Sequence, residues 1–435
     1  MSAPEPTTTS PPTTGDPTQG ERVPPGRPAL RRRLILVLAI LGPGLIAANA
    51  GNDAGGIVTY ASAGAQFGYR TLFVMLLVTV GLVVVQEMCA RLGAYTGQGL
   101  GALIREQFSL RIAAFALVLL VIANTGLVVS EFAGIAAAMQ LLHVSRYLSV
   151  PVAALAIWAL VTLGSYRYAE RIFLLLSLVF ITYPIAAILA HPDWGTATSN
   201  LILPHLLANK SFLLLAVALI GTTITPYMQF YVAAAVADKG AGPSEYPATR
   251  LDTVSGAIFA DIVSIFIIIA TAAAIHHRAP LNSAAQAAHA LKPVAGRFAS
   301  ELFAIGLIGA SALAAAVVPL STAYAVGEAI GTESSVSRRF SEARLFLGLF
   351  TIEIIIGAGL ALVPGNLISL LVNAQILNGI ITPILLAFIL ALANRPSVLG
   401  PAANGPIFRV VATISVIIVA VMAAGALATS LPSLV

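Results

Sequence analysis

Of the chain's 435 residues, 58% are hydrophobic and only 9% charged, against about 25% charged in an ordinary soluble protein. With 23 Lys and Arg and 18 Asp and Glu, the chain cannot cover the surface of a soluble particle of its size, so an integral membrane protein with lipid as its main solvent is expected. The single cysteine, Cys89, excludes an internal disulfide and any cysteine-based zinc or iron–sulfur site.

Residues 1–30 are rich in Pro, Thr and Gly and nearly free of large apolar side chains, which reads as a disordered cytoplasmic tail. Arg31, Arg32 and Arg33 precede an apolar run too long for a signal peptide and without a clear cleavage site. From there, apolar runs near the roughly 20 residues needed to cross about 30 Å of hydrocarbon recur eleven times: 34–66, 71–93, 112–141, 149–165, 171–190, 211–237, 252–275, 300–330, 345–363, 366–392 and 407–431. The runs at 34–66 and 300–330 are long enough to be broken or strongly tilted. Of the 23 Lys and Arg, 17 fall in one alternating set of connections, from Arg22 through Arg91, Lys239 and Arg344 to Arg409, and 6 in the other. The positive-inside rule then puts the N-terminus in the cytoplasm and the C-terminus outside a plasma (inner) membrane.

Two runs are interrupted. Gly51-Asn52-Asp53-Ala54-Gly55-Gly56 divides the first, and Gly221-Thr222-Thr223-Ile224-Thr225-Pro226 the sixth. Gly and Pro withdraw helix support at a depth where lipid penalises exposed backbone. Runs one and six are five apart, the spacing of two inverted five-helix repeats whose first helices break at a substrate site. The expected fold class is all-α, a 5+5 inverted repeat plus one helix in one transmembrane domain over 31–435: repeat one at 34–190, repeat two at 211–392, and the added helix at 407–431. Two unrelated kinks are the competing explanation.

Away from the ends of the runs, five carboxylates fall inside them: Asp53, Glu87, Glu131, Asp261 and Glu353. Each costs roughly 2.5–3.5 kcal/mol at a helix centre, so each needs a partner, a cavity or a function. Asp53 sits in the first break, where unwound carbonyls and a half-helix N-terminus converge and a carboxylate can meet a cation. The alternative is a cap on a half-helix starting near Gly55. Thr222, Thr225 and Gln229 at the second break and Gln375 in the tenth run add oxygens. Oxygen donors without sulfur or imidazole suit hard divalent cations such as magnesium, manganese or calcium, although membrane threonines also bond back to their own helix. Met228 reads as packing. Glu131 is a candidate proton relay, an outer contact to an ion, or a partner for an arginine. Glu87 and Arg91 have the spacing of a helical ion pair, and Asp261 and Glu353 carry no motif.

The six histidines do not cluster, and none lies in the core of a run. No H-E-x-x-H, G-x-S-x-G or G-x-x-x-x-G-K-[ST] motif occurs, so no catalytic residue and no cofactor site is expected, and the chain reads as a transporter, not an enzyme. Its basic residues are too dispersed for nucleic acid. The expected partners are a metal ion and the bilayer, and the expected state a monomer.

The stretch from Gly42-Pro43-Gly44 through Asp53-Ala54-Gly55-Gly56 to Gly64-Ala65-Gln66-Phe67-Gly68-Tyr69 resembles the first span of the Nramp family of divalent metal transporters, whose hallmark there is Asp-Pro-Gly-Asn. Ala90-Arg91-Leu92-Gly93, Thr96-Gly97 and Arg105 are similar to the family's second-span stretch, and Glu131 falls at the Glu of its third. Tyr166-Arg167 with Glu170-Arg171 resembles its fourth-to-fifth connection, and Gln375, eight residues before Pro383, matches a Gln and Pro of its tenth span. This similarity covers most of residues 35–392. It implies a LeuT-like fold, alternating access, and a divalent cation between spans one and six, with Asp53 as ligand, Thr222 offering its carbonyl and Gln375 approaching in an occluded state.

Two family ligands are replaced. The Asn falls at Gly56, and the Met of Met-Pro-His falls at Thr225, ahead of Pro226-Tyr227. The wider, sulfur-free site suits an ion that keeps part of its water shell, as magnesium does, and resembles the divergent Nramp-related magnesium transporters. Tyr227 and Val232 stand where the sixth span would supply two histidines, which counts against proton coupling. The expected function is import of Mg2+ or Mn2+ at Asp53, Gly56, Thr222, Thr225 and Gln375. Its rivals are a proton-coupled Mn2+/Fe2+ symporter, an amino-acid or organic-cation transporter of the same architecture, and a non-transporting membrane receptor.

Overall fold

The computed structural model describes residues 52–163, 178–207, 209–275, 279–331 and 344–430. The 1–30 tail, the first half of the 34–66 run, Tyr166-Arg167 with Glu170-Arg171, His276-His277 and the last five residues lie outside these.

Every regular element among the described residues is helical. Those of eight residues or more are α1 (Ala54–Phe67), α2 (Leu72–Thr96), α3 (Leu100–Gln107), α4 (Leu110–Leu141), α5 (Arg146–Thr162), α6 (Thr182–Leu189), α7 (Trp194–Ile202), α8 (Lys210–Thr223), α9 (Pro226–Asp238), α10 (Tyr246–Ala274), α11 (Ala299–Ile330), α12 (Arg344–Ala361), α13 (Leu367–Ala393) and α14 (Pro406–Ser430). Among the described residues, eight apolar helical stretches are long enough to cross a membrane: Ala54–Thr96, Leu110–Leu141, Lys210–Asp238, Tyr246–Ala274, Ala284–Ile330, Arg344–Ala361, Leu367–Ala393 and Pro406–Thr429. Two shorter apolar helices, Arg146–Thr162 and Val179–Leu189, accompany them. Exposed Ile352, Ile355, Ile356, Ile407 and Val410 give α12 and α14 the outward apolar faces that lipid requires.

Local chemistry sets the element ends. Gly68, at φ +60°, turns the chain from α1 into the single turn that leads to α2, and α2 stops on Gly97 in the left-handed conformation. Ser109 and Asn366 cap α4 and α13 through their side chains. α3 and α7 are short, partly polar surface helices that apolar run length does not reveal. The 300–330 run, expected to be broken or tilted, is one continuous helix despite Pro319 inside it.

Small residues let these helices approach closely. A methyl group on Gly93 would sit 2.5 Å from the Ala233 carbonyl oxygen, and one on Gly357 would sit 2.4 Å from Val128 Cγ1. The same packing corrects the expected breaks. Gly55 and Gly56 belong to the first turn of α1, and Gly221–Thr223 remain helical. The second interruption is confined to Ile224 and Thr225, because Pro226 opens α9 and drives the preceding residue into an extended conformation, φ −66° and ψ 135°.

Candidate metal site

Asp53 precedes α1 with extended backbone, φ −68° and ψ 174°. Its Oδ1 accepts the Gly56 N–H at 2.5 Å, and its carbonyl accepts the Ile57 N–H at 3.0 Å. The capping reading of this residue is met, and the geometry leaves one oxygen over. One carboxylate oxygen caps the helix, while Oδ2 is buried and accepts no hydrogen bond. Gly56 contributes its N–H to this cap and has no side-chain oxygen to offer a metal.

Three neighbouring elements face this turn. Gln375 of α13 donates from Nε2 to Asp53 Oδ1 at 3.4 Å and keeps Oε1 without a partner. Glu131 of α4 accepts the Ala54 N–H at Oε2, 3.3 Å away, and leaves Oε1 without a partner. That contact suits a helix start, where N–H groups are unpaired and the dipole favours an anion. Gly55 makes room for the group, since a Cβ there would lie 2.0 Å from Gln375 Nε2 and 2.7 Å from Ser130 Oγ. Likewise a Cβ on Gly134 would meet Ala54 Cβ at 2.3 Å and Ser311 Oγ at 2.5 Å. The Ser130 and Ser311 hydroxyls are fully buried and unbonded. Sequence reasoning missed both serines, because an isolated Ser in an apolar helix carries no local signal.

The break between α8 and α9 supplies the facing wall. Gly221 packs on α13 so tightly that a Cβ would lie 2.1 Å from the Gln375 carbonyl oxygen and 2.4 Å from Gly379 N. Three of the carbonyls freed there are bonded: Gly221 to Asn378 Nδ2 at 2.5 Å, Ile224 to Thr382 Oγ1 at 3.4 Å and Thr225 to Gln229 Nε2 at 3.4 Å. Gln229 thus donates to its own backbone, while its Oε1 accepts from the Cys89 thiol at 3.8 Å. The Thr222 carbonyl would pair in a continuous helix with the N–H four residues on, but that residue is Pro226, which has none. The Thr222 and Thr225 hydroxyls are fully buried without a partner. Met228 stays outside this set, its sulfur accepting from Gln86 Nε2 at 2.8 Å.

The remaining acids separate. Glu87 pairs with Arg91 at 3.1 Å, lies 3.9 Å from Arg250 and accepts from the Tyr246 hydroxyl, as the i, i+4 spacing predicts. Arg91 also donates to Asn404 and to the Ala402 carbonyl, 3.1 Å away. Asp261 and Glu353 are buried on α10 and α12. Among the described residues no three His, Cys, Asp or Glu side chains group to hold a metal, so an ion here would depend on two carboxylates with amide, hydroxyl and carbonyl oxygens.

Residues 44–429 match the family described as Nramp, natural resistance-associated macrophage protein-like. A divalent metal cation transporter MntH of Burkholderia ambifaria is 28% identical over 404 residues, spanning 89% of this chain and 88% of that protein. The protein of the same name from Yersinia pestis is 30% identical over 302 residues, 67% of this chain and 72% of that one. The crystal structure of the Eremococcus coleocola manganese transporter with an aromatic bis-isothiourea substituted compound superposes with a TM-score of 0.71 at 20% identity, over 92% of this chain and 87% of that one, which is a likeness of fold. By the extent of that match, which takes in the Asp53 turn, the α8–α9 interruption and Gln375, the chain belongs to the Nramp family.

Proposed function

We propose that this Nramp protein is a secondary transporter that imports a divalent metal cation, Mg2+ or Mn2+, by alternating access. The ion is held between the start of α1 and the α8–α9 interruption by Asp53, Thr222, Thr225 and Gln375, with Glu131 beside them. One observation carries the reading: Asp53 Oδ2, Glu131 Oε1, Gln375 Oε1 and the Thr222 and Thr225 hydroxyls are buried oxygens without a hydrogen-bond partner. Buried acceptors are nearly always paired, so such a set calls for a cation or for water around one. The names of the relatives and of the fold neighbour support divalent metal as the cargo. The absence of sulfur favours a hard ion, and the threonine and serine hydroxyls suit bound water, as magnesium retains.

The helix order supports eleven spans in two inverted repeats, with the first and sixth broken at the ion. The N-terminus is cytoplasmic, the C-terminus outside, and the working unit a monomer. Reconstitution in proteoliposomes with an internal pH dye tests the function. Uptake of manganese and magnesium without matching acidification is expected. Acidification in step with manganese, with no magnesium flux, would replace this reading by a proton-coupled transition-metal symporter, and metal binding that survives Asp53→Ala would favour an organic cargo.

A further inference from the structure

Gln375 and Asn378 stand three residues apart on one face of α13, and they are used alike. Gln375 donates from Nε2 to Asp53 Oδ1 at 3.4 Å, at the start of α1. Asn378 donates from Nδ2 to the Gly221 carbonyl at 2.5 Å, at the edge of the α8–α9 interruption. Each amide thus anchors its nitrogen on one of the two segments that face each other at the site, and each keeps its oxygen buried without a partner.

The nitrogen and oxygen of an amide share one carbon, so the bond that fixes Asn378 Nδ2 also holds Oδ1 beside the interruption. The Gly221 carbonyl belongs to the peptide group that opens Thr222, whose own hydroxyl is buried and unpartnered. The amide has little freedom to leave. A Cβ on Gly221 would lie 2.4 Å from Gly379 N, and one on Gly379 would lie 2.2 Å from the Val217 carbonyl oxygen, so the backbones of α8 and α13 lie against each other around Asn378. As a brace for the broken helix, Asn378 needs only its nitrogen. That role leaves Oδ1 without the partner that a buried acceptor nearly always has. Hard divalent ions gather about six oxygens or more, and Asp53, Thr222, Thr225 and Gln375 leave places among them.

We propose, resting on the metal reading above, that Asn378 is a further ligand of the divalent cation. Its Oδ1 meets the ion from the side of the interruption, as Gln375 Oε1 does from the side of Asp53. α13 then holds the ion through two neutral amides, each tied by its nitrogen to a different half of the site.

A thiol tests the contact directly, because sulfur favours a soft cation only where it touches one. Isothermal titration of the purified full-length protein with Mn2+ and with Cd2+ gives the ratio of the two affinities. Asn378→Cys should raise the preference for Cd2+ about tenfold over the wild type. Asn124→Cys is the matched control. Asn124 of α4 is also fully buried, anchored by Nδ2 to Thr322 Oγ1 at 2.8 Å and unpartnered at Oδ1, but its anchor lies on α11 and not on either metal-holding segment. This variant should keep the wild-type ratio. An unchanged ratio in Asn378→Cys, or an equal rise in both cysteine variants, overturns the proposal. Where Asn378→Cys yields no folded protein, Asn378→Asp decides. A carboxylate against the ion tightens Mn2+ about tenfold, although it has no N–H for Gly221, and an affinity at or below that of the wild type overturns the ligand role. Failure of the metal reading itself looks different: the wild type then binds neither ion, and this proposal falls with it.

Discussion

Replacing Gly55 by alanine separates the proposed metal-holding geometry from the stability of the fold. The new Cβ would lie 2.0 Å from Gln375 Nε2, where ordinary contact begins at 3.4 Å, so the amide must retreat by about 1.4 Å. Its bond to Asp53 Oδ1 is already 3.4 Å long and does not survive that retreat. The Gln375 backbone cannot follow, because its carbonyl oxygen abuts Gly221, but the free end of a long side chain can swing away. The fold is therefore retained while one hydrogen bond to a charged group is lost, about 1.5–3 kcal/mol, or roughly a ten- to hundredfold weaker Kd for Mn2+. Isothermal titration of the purified protein measures the affinity, and a melting curve the stability. Gly348→Ala is the control, since a Cβ there meets nothing within 4 Å. A Gly55→Ala variant that titrates like the wild type would refute the role given to Gln375, and one that melts far below it would show that the glycine serves packing alone.

Three further outcomes follow from the same geometry. Gly221→Ala pushes a methyl group into backbone on α13; with no flexible end to yield, overpacking of this kind costs about 1–3 kcal/mol or more, seen as a lower melting temperature and poor yield. Thr225→Met returns a thioether to the break, and competition titration should show Mn2+ and Cd2+ binding strengthened relative to Mg2+ by about tenfold. Glu87→Gln leaves Arg91 buried without its counter-charge, a loss of about 3 kcal/mol read from thermal unfolding, with metal affinity unchanged.

Features of the site that depend on neighbours in sequence were legible there. Asp53 beside a glycine run, Pro226 after a threonine, and Glu87 four residues from Arg91 each announce themselves within one turn of helix. Contacts between distant segments were not. Ser130, Ser311, Asn378 and Thr382 look like scattered polar residues in apolar runs, and their meaning appears only when α4, α11 and α13 close on the two helix starts. The extent of the breaks was misjudged for a related reason. Glycine can loosen a helix or let two backbones touch, and at Gly55 and Gly221 the second use prevails. Gln229, expected to offer oxygen to an ion, turns its amide nitrogen to the carbonyl one turn back and its oxygen to the Cys89 thiol 3.8 Å away, a choice between local and distant partners that spacing cannot decide.

The double duty of Asp53 makes a sharper demand on the metal reading than its position alone. Oδ1 holds the first turn of α1 through Gly56, and Oδ2, which has no partner, is the oxygen that the proposed site gives to a cation. An ion can thus arrive without melting the helix start, and helix start and ion binding become separable by mutation. Asparagine keeps a carbonyl oxygen that can cap, so Asp53→Asn should melt within a few degrees of the wild type yet lose manganese binding, because the charge that offsets desolvation of the ion is gone. Alanine removes both, and Asp53→Ala should lose the binding together with about 1 kcal/mol of stability. Paired melting and titration of the two variants tests this. If asparagine preserved metal affinity, the oxygens of Thr222, Thr225 and Gln375 would suffice without the carboxylate's charge, and an uncharged or organic cargo would become the better account of the same oxygens.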